Sequence, residues 1–193
     1  PIGEPMQITK CEETLLQELE GKPPLEVLQD LHETLSDSDK KLLQTSLFLG
    51  IEMDPMKDNP KQGDFLIRNL MGIDRESGGL AIGTLLRNGQ LVQFHLRDKQ
   101  MSAEDLDVML TRYLKQGNAE NAKGALLFSC LGRGKHLYGR ANHDTDMFLG
   151  KLGKIPLGGF FCNGEIGPVG NTTFLHGYTS SFGIFRSADK EGR

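Results

Sequence analysis

Cysteine is scarce in this sequence: only Cys11, Cys130 and Cys162 occur among 193 residues, and tryptophan is absent. Three widely spaced cysteines fit neither a secreted disulfide framework nor a CxxC metal site, so they favour a reducing, cytoplasmic setting. Long apolar runs are missing too, since each is broken by glycine, proline or charge well short of the roughly 20 residues that span a bilayer. These absences exclude a membrane-spanning helix, and no residue spacing predicts a metal or another cofactor.

Charge of one sign is not concentrated anywhere in the chain. The formal net charge is -4 at pH 7, and no block of five or six like charges occurs. Because non-specific binding to nucleic acid depends on basic patches, we do not expect DNA or RNA as a partner. The first ten residues, PIGEPMQITK, show neither an initiator methionine nor the features of a signal peptide, which predicts a piece cut from a longer protein.

Short strand and helix patterns alternate in the first half of the chain. Alternating apolar residues over 6–20 predict a strand or a hairpin, and leucines at helical spacing after a pair of prolines predict a helix. Ser36 or Ser38 can cap a short second helix, and an apolar run from Ser46 has the length of a strand. The charged stretch 54–64, with two prolines, is typical of an exposed loop.

The chain after residue 62 is rich in glycine, the one residue in excess, and carries the clearest elements. Asn88 and Gly89 supply the positive φ angles of a tight hairpin turn between two strands. Ser102 is predicted to cap a helix that ends at Gly117 and has one apolar face. The segment GALLFSC, ending at Cys130, predicts a central strand on which this helix packs. The expected fold class is therefore α/β or α+β: a layered mixed β-sheet with packed helices.

A first glycine-flanked turn carries candidate ligand-binding residues. Cys130 ends a strand, and Gly132, Arg133 and Gly134 follow it. Backbone amides in such a turn can converge on an anion, while the guanidinium offers a fork for a carboxylate or phosphate. The alternative is a tight turn with a solvated arginine.

A second turn of the same kind holds a carboxylate. Glu165 lies between Gly164 and Gly167, just beyond an apolar strand, where it can hold a ligand ammonium or accept amides of its own turn. If this strand and GALLFSC are parallel neighbours, both turns emerge at the same end of the sheet. Arg133 and Glu165 would then face one pocket that suits a zwitterion.

Two further arginines, Arg97 and Arg68, are weaker candidates, because each can pair with a nearby acid such as Asp98. An exposed Arg133 would contribute little to folding. The sequence therefore predicts that Arg133→Ala abolishes the thermal shift of a ligand and leaves the unliganded melting temperature nearly unchanged.

Three segments together resemble a known family. FSCLGRG, then IPLGGFFCNGEIGPVG, then FLHGYT are similar to the C-terminal half of the FIST domain, named for F-box and intracellular signal transduction proteins. Upstream, FLIRNLMGID, QFHLRD and SAEDLDVML also resemble the family's pattern. QITKCEETLLQELEGKPPLEVL resembles the segment that joins the family's two halves, so the resemblance covers nearly the whole chain.

The resemblance implies a junction segment from the N-terminal half at 1–55, with a hairpin plus helices, and the C-terminal domain at 56–186. The polar segment SADKEGR predicts a disordered tail at 187–193. The resemblance also implies an intracellular sensory role in signal transduction, with an amino acid or related small metabolite as the ligand. The implied partners are the N-terminal FIST half, which this sequence lacks, and signalling output modules. The resemblance supplies no catalytic residues.

Two alternatives from other functional classes are open. Cys130 before a glycine turn resembles a nucleophile elbow, although Phe128 stands where the elbow has glycine. His136 or His176 can activate the thiol, with Glu165 orienting the base, which describes a Cys-dependent hydrolase or transferase. The other alternative is a protein-interaction module without a small ligand, whose sign is a large exposed apolar patch.

Overall fold

The computed structural model describes residues 1–117, 119, 121–169 and 172–187. Helices are combined with several sheets, which confirms the predicted α+β class with a mixed sheet and packed helices. The predicted disordered tail lies, from residue 188 onward, outside the described residues.

Two compact units divide the chain, Pro1–Asp98 and Lys99–Arg193. The boundary predicted after residue 55 concerns the two halves of the FIST family and stays a prediction. No helix in the described ranges combines the length and the apolar character needed to cross a bilayer.

The first unit contains two helices and six strands: β1 (Ile2–Glu12), β2 (Leu15–Leu19), α1 (Pro24–Thr34), α2 (Asp37–Leu43), β3 (Leu47–Glu52), β4 (Phe65–Asp74), β5 (Gly79–Ile82) and β6 (Leu91–Leu96). All six strands pair antiparallel and close into a barrel in the order β1-β2-β5-β4-β3-β6. Apolar side chains that alternate along the strands, such as Leu49, Val92 and Phe94, fill its core.

The turn at Asn88 and Gly89 forms, but the predicted hairpin around it is wrong. Gly89 has a φ of +85°, as the turn requires, and its N–H donates to the Ile8 carbonyl at 2.8 Å. The flanking strands have different partners: β5 pairs with β2 and β4, whereas β6 pairs with β1 and β3. Barrel closure, a long-range arrangement, therefore overrides the local hairpin signal.

The first unit contains a buried histidine. His95 on β6 is 8% exposed, contacts the edge of the Phe65 ring, and has no hydrogen-bond partner for Nε2 among the described residues. Gly50 on the neighbouring strand makes room for it, because a Cβ there would lie 2.5 Å from His95 Nε2. Burial, with a smaller contribution from the positive N-terminus, lowers the pKa of His95 to about 3.

We predict that His95 makes the protein less stable in mild acid. Its pKa is lowered from 6.5 to about 3 on folding, so its contribution is complete above pH 6.5 and is lost as the pH falls toward 3. A slope of about 1.4 kcal/mol per pH unit gives a loss of about 2 kcal/mol from pH 7 to pH 5. When His95→Leu is unfolded with urea at several pH values, its free energy of unfolding should no longer show this dependence on pH. The exposed His32→Gln is the control, and equal slopes in all three proteins would refute the prediction.

The second unit contains three helices and five strands among its described residues: α3 (Lys99–Lys115), β7 (Ala122–Cys130), α4 (Lys135–Tyr138), α5 (His143–Leu152), β8 (Leu157–Cys162), β9 (Glu165–Val169), β10 (Thr172–His176) and β11 (Ser180–Arg186). A mixed three-stranded sheet has the order β11-β7-β8, and β9 pairs with β10. β7 is therefore the central strand, as predicted. Leu106 and Leu110 of α3 belong to the same buried cluster as Ala125 of β7 and Phe148 of α5.

The parallel pairing needed for the predicted site is present. β7 and β8 run in the same direction, with Cys130 opposite Cys162, so the glycine turns that follow them leave the sheet at one end. The predicted N-cap of α3 is wrong, because the helix begins at Lys99 and Ser102 lies inside its first turn. Ser102 Oγ instead contacts Arg133 Nη1 and the Tyr138 hydroxyl, each at 3.0 Å.

Candidate functional site

Arg133 follows β7 in a tight turn, and its side chain is buried. The turn is closed by the Arg133 N–H, which donates to the Cys130 carbonyl at 2.9 Å, and by Gly134, whose φ is +68°. The expectation of a solvated Arg133 is wrong: the residue is 5% exposed. A buried guanidinium needs a partner for its charge, which determines the chemistry around it.

That partner is Asp144, in the first turn of α5. Arg133 Nε donates to Asp144 Oδ2 at 2.7 Å and Nη2 donates to Oδ1 at 2.9 Å, a bidentate pair. Ser129 Oγ also donates to Oδ2, at 3.2 Å, and His143 Nδ1 lies 3.0 Å from Oδ1. The two oxygens of Asp144 thus face four donors, and all of its acceptor capacity is used.

The ion pair keeps both groups charged despite their burial. Burial by itself would lower the pKa of Arg133, but the hydrogen bonds and charge of Asp144 raise it above its ordinary value. Burial would likewise raise the pKa of Asp144, and the bonds and charge from Arg133 lower it. The carboxylate is therefore ionised at neutral pH.

The remaining edge of the Arg133 guanidinium faces a cavity. Nη1 donates to Ser102 Oγ at 3.0 Å and to the Tyr178 carbonyl at 3.1 Å. Tyr178 has a φ of +60°, an uncommon conformation for a tyrosine, and this places its carbonyl beside the arginine. Ser102, Arg133 and Tyr178 all line a cavity of about 510 Å³, here called the Arg133 cavity.

The Arg133 cavity has a mostly apolar lining with charged residues beside it. Residues of α3 and β11 form its apolar surface: Leu106, Met109, Leu110, Tyr113, Phe182 and Ile184. Asp105 lies at the surface of the cavity, close enough for its charge to act on Arg133, and Arg186 lines it as well.

A second cavity, of about 470 Å³, is here called the His143 cavity. Its lining includes Ser129, His143 and Asp144, together with Lys135 and the β8 residues Leu157 to Phe161. Of the buried pair, Arg133 lines the first cavity and Asp144 lines the second.

Glu165, the predicted ammonium ligand, is buried and has two neutral donors. Thr179 Oγ1 donates to Oε2 at 2.6 Å, and Cys162 Sγ donates to Oε1 at 3.1 Å. Burial and this carboxylate raise the pKa of the Cys162 thiol. Thr179 also lines the Arg133 cavity, so one residue links the Glu165 turn to it.

The structure brings some of the predicted site residues together and separates others. Arg133 lines one cavity and Gly134 the other. Neither lining, within the described ranges, includes the five remaining candidates of this unit: Gly132, Cys130, Gly164, Glu165 and Gly167. Arg68 and Arg97 belong to the first compact unit. Their assignment as ligand-binding residues stays a prediction.

The geometry around Cys130 does not form the nucleophile arrangement considered above. Cys130 is buried, and no hydrogen bond joins its thiol to His136, His176 or Glu165 in the part of the chain that the structure describes. His176 Nε2 contacts the Gly167 carbonyl instead, at 3.1 Å. Within the same described ranges, no group of three or more His, Cys, Asp or Glu side chains is placed to hold a metal ion.

Three residues of the site were missed by sequence reasoning: Asp144, His143 and Asp105. The acids near the start of α5 indicated a helix N-terminus, which is where acidic residues are common, and nothing local marked one of them as buried. Arg133 itself was the signal that could have pointed to a nearby acid, because an arginine that becomes buried requires a carboxylate within reach.

Comparisons with known proteins agree with the motifs. A model of the FIST C domain matches residues 24–168. The "Uncharacterized protein Mb0898c" of Mycobacterium bovis is 40% identical over 185 residues, which is 96% of this chain and 48% of that protein. The "Uncharacterized protein Rv0628c" of Mycobacterium tuberculosis is 39% identical over 185 residues, again 96% of this chain and 48% of that protein.

A plant protein shows a more distant similarity. The "F-box/LRR-repeat protein At5g63520" of Arabidopsis thaliana is 25% identical over 142 residues, which is 66% of this chain and 27% of that protein. The chain spans about half the length of the mycobacterial relatives that it matches.

Proposed function

Because the chain belongs to the FIST C domain family, we propose that it is a cytoplasmic sensory domain of signal transduction that binds an amino acid or a similar small zwitterion in the Arg133 cavity. The observation that carries the proposal is that the nitrogens of the Arg133 guanidinium have different kinds of acceptor. Asp144 holds Nε and Nη2, while Nη1 faces the cavity and donates to neutral acceptors.

A ligand carboxylate can replace these neutral acceptors. Charge-assisted hydrogen bonds are about twice as strong as neutral ones, so a carboxylate competes well with Ser102 Oγ for the Nη1 donors. Asp144 keeps the arginine in place during this exchange, because its two bonds lie on the other edge of the guanidinium. In this proposal Arg133 serves as both a structural residue and a ligand contact.

Asp105 is proposed to bind the ligand ammonium, which is the role predicted for Glu165 from the sequence. Asp105 is an exposed carboxylate on the cavity lining and makes no hydrogen bond to other described residues, whereas Glu165 already accepts from a thiol and a hydroxyl. The apolar walls between Asp105 and the β11 strand suit an aliphatic side chain. Leucine and related amino acids are therefore the expected ligands.

We predict that apolar L-amino acids raise the melting temperature. At 100 times the dissociation constant, a ligand adds about 2.7 kcal/mol to the free energy of unfolding, which is a shift of several degrees. N-acetyl-leucine lacks the ammonium and leucinamide lacks the carboxylate, so each should bind at least tenfold more weakly. Differential scanning fluorimetry with the twenty common amino acids and these two analogues measures the effect.

Two variants of neighbouring residues on α3 test the role of Asp105. Asp105→Asn removes the carboxylate from the cavity and should abolish the leucine shift with little change in the unliganded melting temperature. Glu104→Gln removes the neighbouring charge, which does not line the cavity, and should leave the shift intact. No shift with any amino acid, or an equal loss in both variants, would reject the proposal.

One observation favours a second function, a docking surface on the face of the β11-β7-β8 sheet opposite the helices. Phe128 lies opposite Phe160 and Leu126 lies opposite Gly158 and Gly183, so these side chains share one face. Phe160 is 63% exposed on that face, and Leu126 and Phe185 are exposed as well. We propose that the N-terminal FIST half covers it, since the mycobacterial relatives contain about as much sequence again outside the matched region.

Binding of that half should depend on the exposed phenylalanine. We expect the non-matching half of the Mycobacterium bovis relative, expressed separately, to bind this chain with at least tenfold lower affinity when Phe160 is changed to serine. Met56→Ser, which alters an exposed side chain of the first unit, is the control. Equal binding to all three proteins in calorimetric titrations, or no binding to any, would refute the proposed partner. Signalling output modules are proposed as further partners of the protein.

A further inference from the structure

The His143 cavity contains an imidazole whose position is fixed on two sides. The ring stacks on Tyr138, with centroids 3.4 Å apart and planes 8° from parallel, and Nδ1 lies 3.0 Å from Asp144 Oδ1. His143 is 7% exposed, so little freedom remains for the ring. A buried side chain that is held this firmly has a defined direction for its other nitrogen.

That other nitrogen is an acceptor without a partner among the described residues. Asp144 is ionised and accepts from Arg133, so the Nδ1 of His143 must be the donor in their contact. In the neutral ring Nε2 then carries the lone pair. Nε2 has no hydrogen-bond partner in the described ranges and is not sealed from solvent, and His143 lines the cavity.

The unbalanced charge of the cavity is positive. Asp144 is neutralised by Arg133, while Lys135 is exposed on the lining and forms no ion pair with another described residue. The cavity also includes the first turn of α5 (His143–Leu152), whose N-cap residue Asn142 makes no side-chain capping bond. Main-chain N–H groups there and the Lys135 ammonium both favour an anionic group.

The β8 wall of the cavity is apolar and includes one aromatic ring. Phe161 is more than half exposed and lies on the same face of β8 as Leu157. Gly159 lies between them without a side chain, which keeps the wall open. Such a wall suits the face of a planar ring.

From these features we infer that the His143 cavity is a second ligand site, which takes an aryl carboxylate bearing a hydroxyl or N–H donor. The donor group binds His143 Nε2, the ring lies against Phe161, and the carboxylate meets Lys135 and the N-terminus of α5. This site is separate from the Arg133 cavity and does not depend on the amino-acid proposal.

Matched probes test each part of the inference. 4-Hydroxyphenylacetate has all three features, 4-methoxyphenylacetate lacks the donor, and 2-(4-hydroxyphenyl)ethanol lacks the carboxylate. Calorimetric titration should show saturable binding of the first probe and about tenfold weaker binding of each analogue, as expected for the loss of one hydrogen bond or one ionic contact. Indole-3-acetate, with an N–H donor, should bind as well.

Variants and nuclear magnetic resonance locate the site. Lys135→Met should weaken binding about tenfold, whereas Lys154→Met and Asp105→Asn should leave it unchanged, which separates this site from the Arg133 cavity. In ¹⁵N-labelled wild-type protein, the His143 Nε2 resonance should shift on titration while Nδ1 shifts little, a readout that requires no His143 variant. Equal affinity for the methoxy analogue, no saturable binding below about 10 mM, or an unmoved Nε2 resonance would overturn the inference.

Discussion

Replacing Asp144 with alanine is expected to lower the free energy of unfolding by about 3–5 kcal/mol, measured by urea denaturation. The change leaves the Arg133 guanidinium, 5% exposed, without its counter-charge and removes the acceptor used by Ser129 and His143. An unpaired buried charge is among the most destabilising outcomes of a single substitution. For the same reason, Arg133→Ala should be strongly destabilising, contrary to the expectation from the sequence.

The double variant Arg133→Met with Asp144→Leu provides the control for this prediction. It removes both charges at once, so the loss should be much smaller than for Asp144→Ala alone, as found when buried ion pairs are replaced by apolar residues. A loss below about 1 kcal/mol for Asp144→Ala would show that the pair is solvated in solution.

Replacing Gly159 with alanine is expected to cost more than 4 kcal/mol or to prevent the second unit from folding. Gly159 on β8 has a φ of +150°, and a Cβ at this position would overlap the Leu127 carbonyl of β7. Relief of the overlap requires β7 and β8 to separate, and β7 is the central strand of the sheet. Circular dichroism and urea unfolding measure the loss.

A glycine in the same unit gives the matched control. Gly150 lies inside α5, and a Cβ there would meet no atom within 4 Å. Gly150→Ala should therefore stabilise the protein by about 0.5–1 kcal/mol through the lower entropy of the unfolded chain. If Gly159→Ala behaves like Gly150→Ala, the described pairing of β7 with β8 is incorrect.

Local patterns in the sequence predicted the elements of the second unit well. The apolar stripe of α3 and the two-sided apolar character of GALLFSC identified a helix packed on a central strand, and Leu106, Leu110 and Ala125 share a core cluster. The parallel alignment of β7 and β8 was only a condition of the predicted site, and the structure meets this condition.

Long-range partners were not visible in the sequence. Barrel closure in the first unit joins strands distant in sequence, such as β1 and β6, so the Asn88 and Gly89 turn connects strands that do not pair. The start of α3 at Lys99 likewise depends on tertiary context, because Ser102 is used by Arg133 and Tyr138 rather than as a cap. Asp144 was missed for the same reason: eleven residues separate it from Arg133.

The central claim is that the Arg133 cavity binds an amino acid, and a titration of the ¹⁵N-labelled chain with L-leucine tests it most directly. Saturable shifts are predicted for the amides of Ser102 to Leu110 and of Tyr178 to Ile184, the two segments that line the cavity, and they should disappear in Asp105→Asn. The absence of saturable shifts with every common amino acid, or saturable shifts confined to residues outside these segments, would contradict it.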